Sequence, residues 1–191
     1  MGRGKNVNKP VLWIIIGVIV IALIGGVSMY NGLVSANENI DGKWSQVENQ
    51  LQRRSDLIPN LVATTKGYAT QEKEIFTQVA EARAKLAGST TVADKAKADA
   101  ELSGALSRLL VVVENYPQLK SDANFRQLSD ELAGTENRLA VARKDYNDAV
   151  QNYNTRIKKF PGNIIANMSG FTAREYFKAP ESAKETPKVQ F

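Results

Sequence analysis

The sequence predicts an all-α protein, with an N-terminal transmembrane helix followed by an elongated antiparallel bundle of three long helices and a short C-terminal helix. Three observations predict this class. Residues 11–30 contain no charged side chain. From residue 40 onward, apolar residues recur at alternating steps of three and four, which is typical of long helices that pack as a coiled coil. The chain has no alternating strand pattern, internal repeat or glycine-rich phosphate loop.

Composition narrows the classes of function. The chain has 191 residues, with no cysteine and no histidine. These absences exclude disulfides and thiolate nucleophiles and remove the commonest general base and transition-metal ligand. We therefore expect no catalytic residue, no metal and no cofactor, although carboxylate catalysis and an all-oxygen metal site stay open. The net charge is +5, but basic and acidic residues alternate beyond the N-terminal tail, so nucleic acid is not an expected partner.

The apolar run at residues 11–30 predicts a helix that spans a membrane once. About twenty helical residues rise roughly 30 Å, which matches the hydrocarbon thickness of a bilayer. Trp13 and Tyr30 lie near the two ends, where aromatic side chains favour the interface. The alternative is a cleavable signal peptide with a cleavage site at residues 34–36, but the apolar run is longer than usual for such a peptide.

The charges on either side of the span predict its orientation. Residues 1–10 form a basic tail that contains Arg3, Lys5 and Lys9, whereas Lys43 is the first basic residue after the span. The positive-inside rule therefore places the N-terminus in the cytoplasm and the bundle on the other side of the membrane.

Three long helices are predicted beyond the span, with short connections that make neighbours antiparallel. The first covers residues 40–86 and is expected to continue directly from the span, since no strong helix breaker precedes residue 44. The second begins at a capping box, Thr91–Asp94, and stops before Pro117. The third covers residues 125–160 and ends at a Phe-Pro-Gly sequence.

Two short regions follow the third helix. Residues 163–176 form an apolar segment broken by Gly170, and residues 178–191 are predicted to be disordered. The bundle domain is therefore predicted over residues 31–177. Within its third helix, two Tyr-Asn pairs lie one heptad apart, and we expect both tyrosines to pack in the core with hydroxyl partners.

The stretch RRSDLIPNLV, residues 53–62, is the strongest candidate for an interaction site. It places three charged residues, a helix breaker and an asparagine in the first long helix. These are Arg53, Arg54, Asp56, Pro59 and Asn60. Arg54 occupies a seam position, so its guanidinium is predicted to be at least partly buried and to need a carboxylate partner. The candidate partners are Asp56, Glu114 and Glu136.

Pro59 has no N–H to bond to the carbonyl of Ser55, so the helix is predicted to kink or pause there, with Asp56 capping its restart. Arg54 has two interpretations. It belongs to a buried polar cluster that fixes helix register, or it binds an anionic ligand or partner. Its seam position favours the first interpretation.

Two motifs are long and specific. RRxDLIPNLV lies at residues 53–62, and ELxGTENR…AR..YN, which contains Glu136 and Arg143, lies at residues 131–147. These motifs resemble the LemA family of bacterial membrane proteins. The resemblance extends to residues 30–86 and 115–154 and to the pairs Gly170-Phe171 and Tyr176-Phe177.

The resemblance implies a transmembrane helix in a bacterial inner membrane, followed by a long antiparallel helical domain. The family offers no accepted catalytic residue to carry over. The chain departs from the family at Thr65, where valine is more usual, and at Gln71, where histidine is frequent. Some descriptions of the family place the short N-terminus outside the cytoplasm, opposite to the orientation that the charges predict.

The sequence supports three functional hypotheses. The leading one is a non-enzymatic scaffold that is anchored in the lipid bilayer and self-associates as a homo-oligomer through the span or the bundle. The second is an adaptor that binds another envelope protein, such as a membrane protease or signalling protein, through the surface around residues 53–60. The third is an envelope hydrolase, which requires a carboxylate pair in a cleft.

Overall fold

The computed structural model describes residues 9–178, and every regular element in that range is a helix. In chain order these are α1 (Lys9–Lys66), α2 (Lys73–Gly88), α3 (Val92–Val113), α4 (Pro117–Ser121), α5 (Ala123–Lys158) and α6 (Gly162–Ser169). The predicted all-α class is confirmed. Arg3 and Lys5 lie outside the described residues, as does the predicted disordered tail after residue 178.

The described residues form two compact units. Unit 1 contains residues 9–39 and 151–174, and unit 2 contains residues 40–150 and 175–178. The boundaries expected from the sequence for the membrane span and the bundle domain stay predictions.

Unit 1 is built on the first part of α1, whose apolar side chains are exposed. This segment is long and apolar enough to cross a membrane, and no other part of residues 9–178 covers its most apolar stretch. Trp13 is 72% exposed and Tyr30 is 44% exposed. Exposure of so many apolar side chains in one run is unfavourable in water and favourable in lipid, so a membrane-crossing helix accounts for it.

The short helix α6 packs against α1 within unit 1. Ile165 Cδ1 lies 3.8 Å from the position that a Cβ would occupy at Gly26, and Met29 Sδ lies 3.9 Å from the corresponding position at Gly162. Beyond α6, Gly170 has φ 74°, a left-handed conformation that costs glycine little because it has no Cβ. The predicted break at this glycine is observed.

Unit 2 contains the second part of α1, helices α2 to α4 and most of α5. Lys66 Nζ, at the end of α1, lies 5.3 Å from the ring centre of Phe76, near the start of α2. Arg83 Nε, further along α2, donates to the carbonyl of Ser55 earlier in α1, so these helices run antiparallel. The ion pairs Glu48–Lys95 and Arg54–Asp99 show that α3 runs parallel to α1. The ion pairs Lys43–Asp145 and Arg54–Glu136 show that α5 runs antiparallel to α1. The facing apolar side chains are buried, among them Val47, Leu51, Ile58, Leu61, Val79, Leu102, Leu109 and Leu139.

The first long helix predicted over residues 40–86 is corrected by the structure to two antiparallel helices. α1 ends at Lys66 and α2 begins at Lys73. The carbonyl of Thr65 accepts the N–H groups of both Tyr68 and Ala69. Gly67, which precedes Tyr68, has low helix propensity. The apolar spacing continues across this turn, so periodicity alone cannot separate one long helix from a hairpin.

Candidate functional site

Arg54 lies on the core side of α1 in unit 2 and is only 4% exposed. Its Nη1 atom lies 2.7 Å from Asp99 Oδ1 on α3 and 2.8 Å from Glu136 Oε2 on α5. Arg143, two turns after Glu136 on α5, donates from Nη2 to Asp99 Oδ2, and its Nη1 lies 3.6 Å from Glu136 Oε1. We call these four residues the charge quartet.

Asp99 is the most buried member of the charge quartet, with 3% of the residue exposed. Each of its carboxylate oxygens bonds a different arginine. Burial raises the pKa of the Asp99 carboxyl, although the guanidiniums of Arg143 and Arg54 oppose the rise because they stabilise the ionised form.

The charge quartet has equal numbers of positive and negative groups and is poorly suited to proton transfer. Arginine stays protonated in proteins, so neither Arg54 nor Arg143 can act as a general base. The Nε atoms of both arginines are buried without a hydrogen-bond partner among the described residues. Glu136 Oε2 faces Arg54 as an ion pair rather than in hydrogen-bond geometry. The arrangement can fix the relative positions of α1, α3 and α5.

Pro59 leaves the carbonyl of Ser55 available as a hydrogen-bond acceptor in the contact between α1 and α2. α1 continues through Pro59, so the predicted pause is not observed. Because Pro59 has no N–H, it cannot bond to the carbonyl of Ser55 in the preceding turn. Arg83 Nε on α2 donates to that carbonyl at 2.9 Å and to Ser55 Oγ at 3.2 Å. The proline therefore leaves a backbone acceptor on α1 to which α2 binds.

The other residues of RRSDLIPNLV lie away from the charge quartet. Asp56 accepts a hydrogen bond from a glutamine within α1, so its predicted roles as partner of Arg54 and as helix cap are wrong. Glu114 was the other wrong partner, since it forms an exposed ion pair with a lysine at 2.6 Å. Arg53 and Asn60 are exposed on α1.

Asp99 is the partner of Arg54 that sequence reasoning missed. It stands three residues before Leu102, and the alternation of three and four continues through Leu106 and Leu109. Asp99 is therefore a charged residue on the seam of α3, as Arg54 is on the seam of α1. Two opposite charges on the seams of different helices are the signal that would have found this pair.

α5 also binds the backbone of the irregular segment that follows α6. In unit 2, Tyr146 Oη donates to the carbonyl of Glu175 at 2.8 Å. The side-chain amide of Asn147 accepts from the N–H of Phe177 at 2.8 Å and donates to its carbonyl at 3.0 Å. Arg143 of the charge quartet lies 5.0 Å from the centre of the Phe177 ring, a distance typical of a cation–π contact.

The same two residue types recur one heptad later, in unit 1. Tyr153 Oη donates to the carbonyl of Thr172 at 3.0 Å, and Asn154 makes two backbone hydrogen bonds to Arg174, each of 2.9 Å. Burial raises the pKa of Tyr153. Both tyrosines are core residues with hydroxyl partners, as the sequence predicts, and the asparagines bind the backbone in addition. We call the two Tyr-Asn pairs the backbone clamps.

Comparison with known proteins supports the resemblance carried by these motifs. The LemA family profile matches residues 43–191. The chain belongs to the LemA family. The matched range contains the charge quartet and both backbone clamps. Asp99 lies outside residues 30–86 and 115–154, the two long stretches that carry the resemblance in the sequence.

Individual LemA relatives are similar over most of the chain. Magnetosome protein MamQ 2 of Paramagnetospirillum magneticum is 33% identical over 217 residues, which cover 99% of this chain and 78% of that protein. Magnetosome protein MamQ of Magnetospirillum gryphiswaldense is 30% identical over 220 residues, with the same coverage of both chains. Protein LemA of Metamycoplasma hominis is 24% identical over 156 residues, which cover 79% of this chain and 69% of that protein.

These findings indicate a membrane-associated helical protein of the LemA family, which is not a known enzyme family. Among the residues that the structure describes, no group of three or more acidic side chains is arranged to hold a metal ion. Lys9, the third predicted flanking cation, begins α1, and Trp13 and Tyr30 lie in the exposed apolar part of that helix.

Proposed function

We propose that this chain is a single-pass scaffold of the bacterial inner membrane that assembles with copies of itself and has no catalytic activity. The observation that carries the proposal is the construction of α1, which runs from Lys9 to Lys66 as one helix. This helix supplies both the exposed apolar span and one wall of the core of unit 2. A chain of this construction is suited to anchoring a helical unit at a membrane.

The chemistry of the charge quartet supports a structural role for the buried carboxylate of Asp99. Each oxygen of Asp99 already bonds an arginine and the residue is only 3% exposed, so the carboxylate is not open to a substrate. Breaking such a buried set is costly, whereas an exposed ion pair contributes little. The charge quartet is therefore suited to fixing one helix register, which repeated assembly of identical units requires.

The groove between α1 and α5 in unit 2 is the surface that we propose for self-assembly. It has a volume of about 450 Å³ and is lined mainly by uncharged side chains, among them Gln46, Asn49, Gln50, Asn137 and Val141. Gln50 Oε1 is buried without a hydrogen-bond partner among the described residues, and Val141 is 61% exposed. A second copy of the chain is the proposed occupant, since a two-fold contact presents the same surface from both copies and side-chain amides can both donate and accept hydrogen bonds.

The size of the full-length protein, extracted gently from membranes and measured by mass photometry, tests this proposal. We expect a large, defined assembly that Val141→Lys disrupts, because the new charge would be desolvated in the contact. Val111→Lys is the matched control, since Val111 is 69% exposed but lies on α3. A protein that stays monomeric at all concentrations would overturn self-assembly.

An adaptor role is the second candidate, and a different groove favours it. Arg53, Arg126 and Arg138 line one surface groove of about 620 Å³ in unit 2, together with Asp130 and Glu131. Arginine clusters bind carboxylates with bidentate geometry, so an acidic segment of another envelope protein, such as a membrane protease or signalling protein, fits this groove. Photo-crosslinking from position 53 in cells tests it, and recovery of only the protein itself would count against it.

A further inference from the structure

The turn between α5 and α6 lies beside the membrane-facing part of α1. The contacts of α6 fall on Gly26 and Met29, and the ring of Phe171 lies 5.7 Å from that of Tyr30, centre to centre. At 1.5 Å per residue, the interval from Gly26 to Tyr30 is about 6 Å. α6 therefore lies at the depth of the last turn of the apolar run in α1.

Three large apolar side chains of this region are exposed. Phe160 is 80% exposed, Ile164 is 48% exposed and Met168 is 80% exposed. They are spaced four residues apart, so Ile164 and Met168 share one face of α6 and Phe160 precedes them at the same spacing. The opposite face is buried, with Gly162 and Ala166 toward the interior of unit 1.

Positive charges flank this apolar face. Arg156, Lys158 and Lys159 lie at the end of α5 and are all exposed. An exposed apolar face with basic residues beside it is the composition of helices that lie in the membrane interface, where the apolar face enters by about 5–10 Å. Gly26, which α6 contacts, lies about 6 Å along the helix axis before Tyr30 at the end of the apolar run, which is consistent with that range.

We propose that residues 156–168, which we call the α5–α6 tip, form a second contact with the bilayer. Phe160, Ile164 and Met168 enter the boundary between head groups and acyl chains, in the leaflet that contains the C-terminal end of the span. Arg156, Lys158 and Lys159 bind the phosphates of anionic lipids. This inference rests on the membrane span of the proposed function and adds a lipid-binding surface to it.

The absence of cysteine allows the tip to be tested with single labels in the full-length chain. Met168→Cys is labelled with the environment-sensitive dye NBD, and the protein is reconstituted into vesicles of phosphatidylcholine and phosphatidylglycerol with brominated acyl chains. We expect blue-shifted emission that the brominated lipid quenches. Val111→Cys, at another exposed apolar position, on α3, is expected to keep water-like emission without quenching.

A label at Ile19→Cys, inside the span, separates the possible failures. Quenching at position 19 without quenching at position 168 would overturn the tip contact and keep the anchor. Absence of quenching at both positions would overturn the anchor and the tip contact together. Protection of position 168 from aqueous iodide without quenching by brominated lipid would show that protein covers the tip, which also overturns the proposal.

The lipid preference of the α5–α6 tip has its own test. Replacing Arg156, Lys158 and Lys159 by glutamine is expected to abolish the increase in quenching at position 168 that phosphatidylglycerol causes over phosphatidylcholine alone. Retention of the full increase would overturn the assignment of these residues to lipid phosphates.

Discussion

At Asp99, each carboxylate oxygen bonds a different arginine, and only 3% of the residue is exposed. Removing these charges from water has a large desolvation cost, which is offset only while every member keeps its partners. The charge quartet is therefore stable as a set and sensitive to the loss of any one member.

Asp99→Asn is expected to lower the free energy of unfolding by about 3–5 kcal/mol, because Arg54 and Arg143 keep their charges in a buried site that has lost its central carboxylate. Urea denaturation of the full-length protein in detergent, followed by circular dichroism, measures this loss. Asp148→Asn is the matched control, since Asp148 forms an exposed ion pair at 2.8 Å. A loss as small as that of the control would contradict the role of Asp99.

Asp122 gives a pH dependence of defined sign. Its Oδ1 atom accepts the N–H of Phe125 at 2.9 Å at the start of α5, and this bond is the main reason that the pKa of Asp122 is lowered. Since the folded chain holds the proton less tightly than the unfolded chain, this carboxylate stabilises the fold above the unfolded pKa of about 3.9. The stabilisation disappears as the pH falls through the lowered pKa of the folded state.

Asp122→Asn keeps a capping oxygen and removes the titration. We expect the wild-type chain to have the higher melting temperature above about pH 4, where the unfolded carboxyl is ionised. The difference should shrink as the pH is lowered, which a series of thermal melts measures. A difference that stays constant across the acidic range would contradict this assignment.

At the scale of secondary-structure elements, α1 and α2 are joined by a bond that depends on the missing N–H of Pro59. The Ser55 carbonyl accepts Arg83 Nε in place of an N–H from its own helix. Arg83→Met is expected to cost about 1–3 kcal/mol of unfolding free energy, because it leaves a mostly buried carbonyl without a donor.

Pro59→Ala provides the second side of a double-mutant cycle. The alanine N–H can bond to the Ser55 carbonyl, so Arg83→Met is expected to cost less in the Pro59→Ala background. Urea denaturation of the four proteins measures the coupling. Simple additivity would show that the proline and the arginine do not share this acceptor.

Gly162 determines how closely α6 approaches the end of α5. A Cβ at this position would clash with the main-chain carbonyl of Arg156, so Gly162→Ala is expected to cost about 1–3 kcal/mol through displacement of α6. Gly104→Ala is the contrasting control, because Gly104 lies inside α3 with open space around it. There alanine is expected to stabilise the chain by about 0.5–1 kcal/mol. Thermal melts that shift both variants in the same direction would contradict this difference.

The sequence predicted the helices better than their connections. The long span, the capping of α3 by Thr91 and the stop after α5 depend on local residues, and local physics decides them. The turn after Lys66 was missed because Pro59 is the stronger breaker by type, yet α1 tolerates it. Arg83 satisfies the acceptor that the proline leaves, and this contact is not visible in the spacing of residues on one helix.

The candidate site was also predictable only in part, because contacts between helices are not visible in the spacing of residues on one helix. Arg54 on an apolar seam required a carboxylate, and Glu136 was among the residues considered. Asp56 and Glu114 were wrong candidates because residue type and position along one helix do not decide which side chains meet across a bundle. The two tyrosines of the backbone clamps were predicted in the core with hydroxyl partners, but the identity of those partners was not, since a peptide backbone carries no residue type by which a partner can be recognised.

At the scale of the whole molecule, charges at the N-terminus predict an orientation in the membrane. If Arg3, Lys5 and Lys9 obey the positive-inside rule, the N-terminus lies in the cytoplasm and unit 2 lies on the opposite side. Single cysteines test this orientation, because the chain has none of its own.

In intact bacteria, a membrane-impermeant maleimide is expected to label Ser107→Cys on the exposed surface of α3 without lysis. Asn6→Cys, in the N-terminal tail, should be labelled only after lysis. The reverse pattern would place unit 2 in the cytoplasm and contradict the proposed orientation.

The order of synthesis gives the charge quartet a consequence during biogenesis. Arg54 leaves the ribosome first, Asp99 follows, and Glu136 and Arg143 emerge only with α5. A nascent or truncated chain that ends before α5 has one carboxylate for Arg54 instead of two, and one arginine for Asp99 instead of two. The interior of unit 2 then stays hydrated, since burial of the incomplete set is unfavourable. We therefore expect proteolytic quality control to distinguish an unfinished chain from a finished one by the apolar side chains that stay exposed in unit 2.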